Sequence, residues 1–360
     1  MQRKSRTSLY LVMAVGAIGL AFVLGALRNS TGVFDAMDTR TSEIADSLRS
    51  IYLTPVMRGI SWLGYEAGLM VVICVLYWLG YTAEAVTFAL MVLFGLALNS
   101  MMKDLFELPR PPESLISRLD DPGGYGYPSG HGQWGVLYAW LAISLVRGFL
   151  PGGRGSFSSK SADPECEPQT QGSRPLWLCL LPVPLLIASR LYLGVHYLTD
   201  TIGGLICGLG LVLGVSGILA YLRDSSLREP FRRSLALKLL LSLALSAGYF
   251  GLACTTPEAF RYAALGGFLL GFVFIYSALP MRWHARNLPL AVAVVVIGLS
   301  SMMGLRRGLA AVLPESNLGA CCRYLVIGAC LAVSPLLFTR MRLLEARNRT
   351  DAGDLRPATP

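Results

Sequence analysis

The sequence predicts an all-α polytopic membrane bundle, and three observations carry that expectation. Of 360 residues, 54% are hydrophobic and only 15% charged, with a mean hydropathy of +0.54. A soluble globular chain carries about 25% charged residues. Apolar runs then recur along the chain at lengths near the ~17–25 residues that cross a bilayer as a helix. Finally, the basic residues gather between alternate pairs of these runs, as the positive-inside rule requires of a multi-span chain.

Taken in order, the runs fall near 8–27, 64–81, 84–102, 132–149, 176–189, 200–222, 234–254, 262–280, 288–305 and 318–338, about ten spans in all. The first is longer than the ~7–15-residue core of a signal peptide and lacks a small-x-small site after it, so it reads as an anchor. The stretch 41–63 carries Ile44, Leu48, Ile51 and Tyr52 at helical spacing. It reads as an interfacial helix broken at Pro55, a candidate wall for lipid access or a loop packed on the bundle. Pro182 and Pro184 blur the ends of the run at 176–189. Residues 150–175 form a Gly-, Ser- and Pro-rich polar insertion. In the last runs Gly266, Gly267 and Gly271 mark close helix packing.

This divides the chain into a six-span core at 1–222 with its insertion at 150–175, an additional helical region at 223–338 of about four spans, and a polar tail at 339–360. Arg3, Lys4 and Arg6, the cluster Arg147, Arg154, Lys160 and Arg174, the group Arg223, Arg228, Arg232 and Arg233, and Arg340, Arg342, Arg347 and Arg349 all fall on one side of such a bundle. That side is cytoplasmic, with both termini. Arg306 and Arg307 are exceptions. The loops at 103–131 and 190–199 then lie together on the opposite face, which in a bacterial inner membrane is periplasmic.

Those two loops hold the chemistry. In SRLYLGVHYLTD, Ser189-Arg190 is followed by His196 and Asp200. His196 and Asp200 are spaced so that on a helix they share a face. There a carboxylate can hold the second imidazole nitrogen, fix its tautomer and raise its basicity. Arg190 supplies a permanently charged fork suited to phosphate. A stray His–Asp pair capping a helix would be unremarkable, but all four residue types at fixed spacing are expected by chance only about 0.002 times in a chain of this length. In MMKDLFELPRPP, Lys103 and Arg110 are about two helical turns apart and can face one side, with Pro109, Pro111 and Pro112 ending the helix. The alternative there is a basic membrane flank. In GGYGYPSGHGQWG, Ser129, Gly130 and His131 open another apolar helix. Free N–H groups and a hydroxyl at a helix start make an anion cradle, although Ser129 is also an ordinary capping residue.

Together, Lys103…Arg110-Pro111, Pro128-Ser129-Gly130-His131 and Ser189-Arg190…His196…Asp200 resemble the three signature motifs of the type-2 phosphatidic acid phosphatase (PAP2) superfamily, in order and at the family's spacing, over roughly residues 8–222. The resemblance implies a membrane lipid phosphatase that cleaves a lipid phosphomonoester or diphosphate, an isoprenyl diphosphate or a phosphatidic acid-like lipid. It implies that His196 attacks phosphorus to form a phosphohistidine, that Asp200 orients it, and that His131 protonates the leaving oxygen and then activates water. Lys103, Arg110 and Arg190 would clamp the phosphoryl oxygens, with Ser129 and the Gly130 backbone completing the cradle. Three cations can neutralise the developing charge without a metal, so no metal or other cofactor is expected. With three histidines in the chain, His284 reads as a loop residue.

Other readings are narrower. A phosphotransferase would use the same phosphohistidine and hand the group to another lipid. A non-catalytic binding or transport protein would be expected to have lost a site residue. The net charge of +9 sits beside spans rather than in a basic stripe with aromatics, which speaks for anionic headgroups and against nucleic acid. The eight cysteines show no CxxC pattern and read as small hydrophobes. The oligomeric state is not legible.

Overall fold

The computed structural model describes residues 2–148, 176–225, 234–253, 259–278 and 281–348. The insertion at 150–175, Cys166, Cys254 and the tail beyond Asn348 lie outside them, as do Arg154, Lys160, Arg174, Arg228, Arg232, Arg233 and Arg349 of the expected topology.

The fold is an all-α polytopic membrane bundle, with twelve α-helices among the described residues. The first eight are α1 (Gln2–Ser30), α2 (Asp35–Ser47), α3 (Leu53–Trp62), α4 (Glu66–Trp78), α5 (Thr82–Phe106), α6 (Gly130–Gly148), α7 (Pro182–Tyr192) and α8 (Leu198–Asp224). They are followed by α9 (Leu235–Ala253), α10 (Ala259–Ala278), α11 (Leu288–Val312) and α12 (Asn317–Arg340). Every expected apolar run holds a helix. Five of these helices are individually long and apolar enough to span, or six if the α3–α4 pair, bent by 60°, counts as one. Length accounts for two of the others: α4 has 13 residues and α7 has 11, and at a rise of 1.5 Å such helices reach at most about 20 Å against a ~30 Å hydrocarbon core.

The chain divides into two compact units, one of Met1–Met70 with Val86–Tyr221 and one of Val71–Ala85 with Leu222–Pro360. In the first, the site is fixed by the contact of α6 with α8. A Cβ on Gly132 would lie 2.6 Å from the Thr201 carbonyl oxygen and one on Gly208 2.6 Å from that of Gln133, while one on Gly204 would collide with the Ser129 carbonyl. Only glycine lets the two backbones run this close, the usual device where helices meet without a hydrophobic drive between them. Below the site Ala21 of α1, Met102 and Phe106 of α5, Leu108, Tyr127 and Cys207 of α8 form one buried cluster.

The segment expected as an interfacial helix breaks at 48–52, not at Pro55. Pro55 sits in the first turn of α3, where its missing N–H costs nothing. Ile44, Leu48, Ile51 and Tyr52 are all exposed, while the C-terminal end of α3 turns Ser61 inward, 1% exposed.

In the second unit, Gly267 and Gly271 of α10 leave no room for a Cβ against the carbonyls of Cys321 and Leu325 in α12, and a Cβ on Gly266 would stand 2.9 Å from the Ser246 carbonyl of α9. Residues 344–348 lie within the stretch read from sequence as tail, yet they form a strand. Here β1 (Met281–Ala285) pairs antiparallel with β2 (Leu344–Asn348). The alternation is that of a half-buried strand pair: Trp283 and Leu344 are buried, while His284 Nε2 meets Glu345 Oε2 at 3.1 Å. The six described cysteines are all unpaired.

Candidate active site

The three motifs converge in the first unit. α5 ends at Phe106, ahead of the proline-rich stretch, so Arg110 lies past the helix rather than on a common face with Lys103. Arg110 is buried and tied down by carbonyls: its Nε and Nη2 donate to Gly123 O at 3.1 and 2.9 Å, and its Nη1 to Val195 O at 2.8 Å. The same Nη1 stands 3.0 Å from His196 Nε2. A guanidinium only donates, so His196 Nε2 carries a lone pair toward Arg110. The ring's proton is therefore on Nδ1, which faces Asp200 Oδ2 at 3.3 Å.

His196 is in the turn that precedes α8, not on the helix, so the shared-face expectation is met by a different geometry. Gly194, at φ +71°, reverses the chain out of α7, and Asp200 in the first turn of α8 reaches back. Asp200 is fully buried and also accepts the Tyr197 N–H at 2.9 Å. Burial holds the His196 imidazole well below its usual range, reinforced by the charges of Arg110, Arg190, Lys103 and Arg28. It is neutral at neutral pH, the state a nucleophile needs.

Arg190, in the last turn of α7, is 1% exposed. Its Nη1 donates to Ser61 Oγ at 2.6 Å, Tyr65 OH at 3.1 Å and Asp120 Oδ2 at 3.0 Å. His131, the second residue of α6, places Nε2 2.9 Å from the Ser61 carbonyl; since that oxygen only accepts, Nε2 bears the proton. Its ring meets Tyr65 edge-on at 5.1 Å, and Gly64 lies flat against it.

Ser129 does not act as a side-chain cap. Among the described residues its Oγ, fully buried, meets no hydrogen-bond partner, and neither does Arg190 Nε. The Ser129 N–H donates to Asp200 O at 2.9 Å, which locks the second motif to the third. Gly130 begins α6 under the Trp134 indole, whose Nε1 would lie 3.2 Å from a Cβ there. The arrangement presents buried donors and a neutral imidazole lone pair, which is what phosphoryl transfer asks of a protein.

Sequence reading missed several residues that shape this site. Ser61 and Tyr65 come from the bent α3–α4 corner, Asp120 from the proline-rich loop, and Arg28 from α1, where it ion-pairs with Asp200. Separations such as the 172 residues between Arg28 and Asp200 leave no spacing signal. The one available hint is that Arg28 ends its apolar run on the side away from the basic N-terminus.

Residues 84–224 match the PAP2 superfamily. Phosphatidylglycerophosphatase B of Bacillus subtilis (strain 168) is 28% identical over 204 residues, covering 55% of this chain and 91% of the relative. A crystal structure of a transmembrane PAP2 type phosphatidylglycerolphosphate phosphatase from Bacillus subtilis shares 25% identity with a TM-score of 0.46, covering 59% of this chain and 98% of that one. The motifs that converge on His196 lie within the stretch 84–224 that matches the PAP2 superfamily, and the chain is a membrane phosphatase with a PAP2-like region.

Proposed function

We propose that this enzyme hydrolyses the phosphomonoester of a glycerophospholipid through a phosphohistidine on His196. The tautomer of His196 carries this reading: Nδ1–H on Asp200 and an unprotonated Nε2 that accepts from Arg110. In the first step Nε2 attacks phosphorus, the bond to the lipid oxygen breaks, and His131, entering as the imidazolium, gives that oxygen a proton and becomes neutral. In the second, His131 takes a proton from water, the water oxygen attacks phosphorus, and the P–N bond breaks to release phosphate. Lys103, Arg110 and Arg190 neutralise the phosphoryl oxygens, the hydroxyl of Ser129 donates to one of them, and the Gly130 backbone closes the cradle. No metal enters either step. Acid–base help of the kind assigned to His131 is worth about 10²–10⁴ in rate.

The name of the Bacillus relative favours phosphatidylglycerophosphate as substrate, ahead of phosphatidic acid and of an isoprenyl diphosphate. Residues 1–222 carry the chemistry in this reading, 223–338 add helices and 339–360 a tail. The positive-inside pattern puts both termini in the cytoplasm and the site on the periplasmic face.

The test is release of free phosphate by detergent-purified protein in excess EDTA, with phosphatidylglycerophosphate, phosphatidic acid and farnesyl diphosphate compared beside His196→Ala. The reading expects metal-independent release, fastest on the first lipid and lost in the variant. Phosphate retained on an acceptor lipid would instead identify a transferase.

A further inference from the structure

We propose that Arg28 is a positioning residue for the reaction: it fixes Asp200 as the charged partner of His196, from a helix outside the matched family region. This rests on His196 being the nucleophile. Arg28 Nη1 ion-pairs with Asp200 Oδ1, and both side chains are buried. The opposite oxygen, Oδ2, is the one that faces His196 Nδ1 and the Tyr197 N–H. Arg28 therefore fills one side of the carboxylate and leaves the other to the imidazole.

The arginine is itself held on three sides. Its Nε lies 3.7 Å from Asp38 Oδ2, and its guanidinium sits 4.8 Å over the Tyr197 ring. Asp38 is fixed in turn, accepting the Thr199 N–H at 2.9 Å and the Thr199 hydroxyl at 2.5 Å. Thus α1 and α2 grip Tyr197, Thr199 and Asp200 at the start of α8.

Chemistry gives the grip a purpose. A buried carboxylate with no counter-charge takes up a proton, and a protonated Asp200 would hold Nδ1–H only as a neutral acceptor, without the charge that raises the basicity of the imidazole. Arg28 supplies that charge at the oxygen remote from the imidazole. The groups facing His196 are Lys103 of α5, Arg110, His131 of α6, Arg190 of α7, Arg28 of α1 and Asp200 of α8. Removing Arg28 withdraws one cation from this set, so the coupled His196–Asp200 pair takes up its first proton at a higher pH.

The experiment compares wild type, Arg28→Met, Arg28→Gln, Arg28→Lys, Asp200→Asn, Arg28→Met/Asp200→Asn and His196→Ala. All are assayed on phosphatidylglycerophosphate in detergent micelles across pH, so that the substrate's own titration cancels between variants. Arg28→Met is expected to lose about 10- to 100-fold in kcat, the usual effect of an outer-shell partner. KM should move by less than about twofold, and the acid limb should move to higher pH. Arg28→Lys restores the acid limb and part of kcat, because it returns the charge without the fork. In the Asp200→Asn background Arg28→Met costs nothing further.

Wild-type kcat and acid limb in Arg28→Met overturn the proposal, and so does a loss that multiplies with that of Asp200→Asn. If Arg28→Met does not fold, Arg28→Gln is judged by the same criteria. If neither neutral variant folds while Arg28→Lys matches wild type in kcat and acid limb, Arg28 serves stability alone and the proposal fails. Phosphate release that survives in His196→Ala, or is absent in wild type, refutes the underlying functional reading instead.

Discussion

Asp120 Oδ2 lies 3.0 Å from Arg190 Nη1, so a carboxylate of the protein sits on the same guanidinium that the phosphate is proposed to use. Tyr65 OH donates to that oxygen as well. A phosphate bound at Arg190 would share the guanidinium with this anion. Asp120→Asn keeps an accepting oxygen for Arg190 and removes the charge. The pair is partly exposed, at 29% for Asp120, so the electrostatic relief is at most about 1 kcal/mol. KM should therefore fall about two- to fivefold with kcat nearly unchanged. A rise in KM would assign Asp120 to holding Arg190 rather than competing for it.

Ser129 offers a cleaner separation of stability from activity. Its Oγ has no partner to lose, so Ser129→Ala should leave thermal stability in detergent unchanged or slightly raised, since an unmet buried hydroxyl is a cost. If the hydroxyl donates to the transferring phosphoryl group, kcat/KM falls by about 10²–10³, as for other oxyanion donors. Equal kcat/KM in the two proteins would remove Ser129 from the cradle.

The packing of α6 on α8 should be equally sensitive. Gly204→Ala drives a methyl into the Ser129 carbonyl, between the second and third motifs. Overpacking of this kind costs about 1–3 kcal/mol. Differential scanning fluorimetry should show a lowered Tm together with a fall in kcat. A variant with the wild-type Tm would mean that the two helices are not held this close.

The protonation of His196 can be read directly. Its pKa is depressed, by burial first and then by Arg110, Arg190, Lys103 and Arg28, so the neutral form persists to pH values below the ~6.5 of an ordinary histidine. The chain has three histidines, and labelled imidazoles assigned with His196→Ala are resolvable by NMR. At pH 6.5 the His196 signal should be that of the neutral Nδ1–H tautomer, with activity lost to protonation only at lower pH. A midpoint at or above 6.5 would contradict the cationic surroundings described for it.

Much of this was legible from sequence because the motif residues are close in the chain and distinctive in type. Arg190, His196 and Asp200 lie within one short stretch, and the apolar runs announce the helices through composition alone. Their structural details were less visible. His196 precedes α8 because Gly194 turns the chain there, and the Ser129 N–H is consumed by Asp200 O. Neither contact has a spacing signature. Arg28, Ser61 and Asp120 escaped notice because an isolated Arg, Ser or Asp near a span reads equally well as a membrane flank or loop. Only the fold brings them to the motifs.

The central claim is that His196 becomes covalently phosphorylated, and trapping that species tests it most directly. Purified protein would be mixed with lipid bearing a 32P-labelled phosphate, quenched in alkaline denaturant within milliseconds to seconds, and compared with His196→Ala. The account predicts protein-bound label that is stable in base, lost in acid, located at residue 196 and absent from the variant. Label on another residue, or free phosphate released by His196→Ala at the wild-type rate, would contradict it.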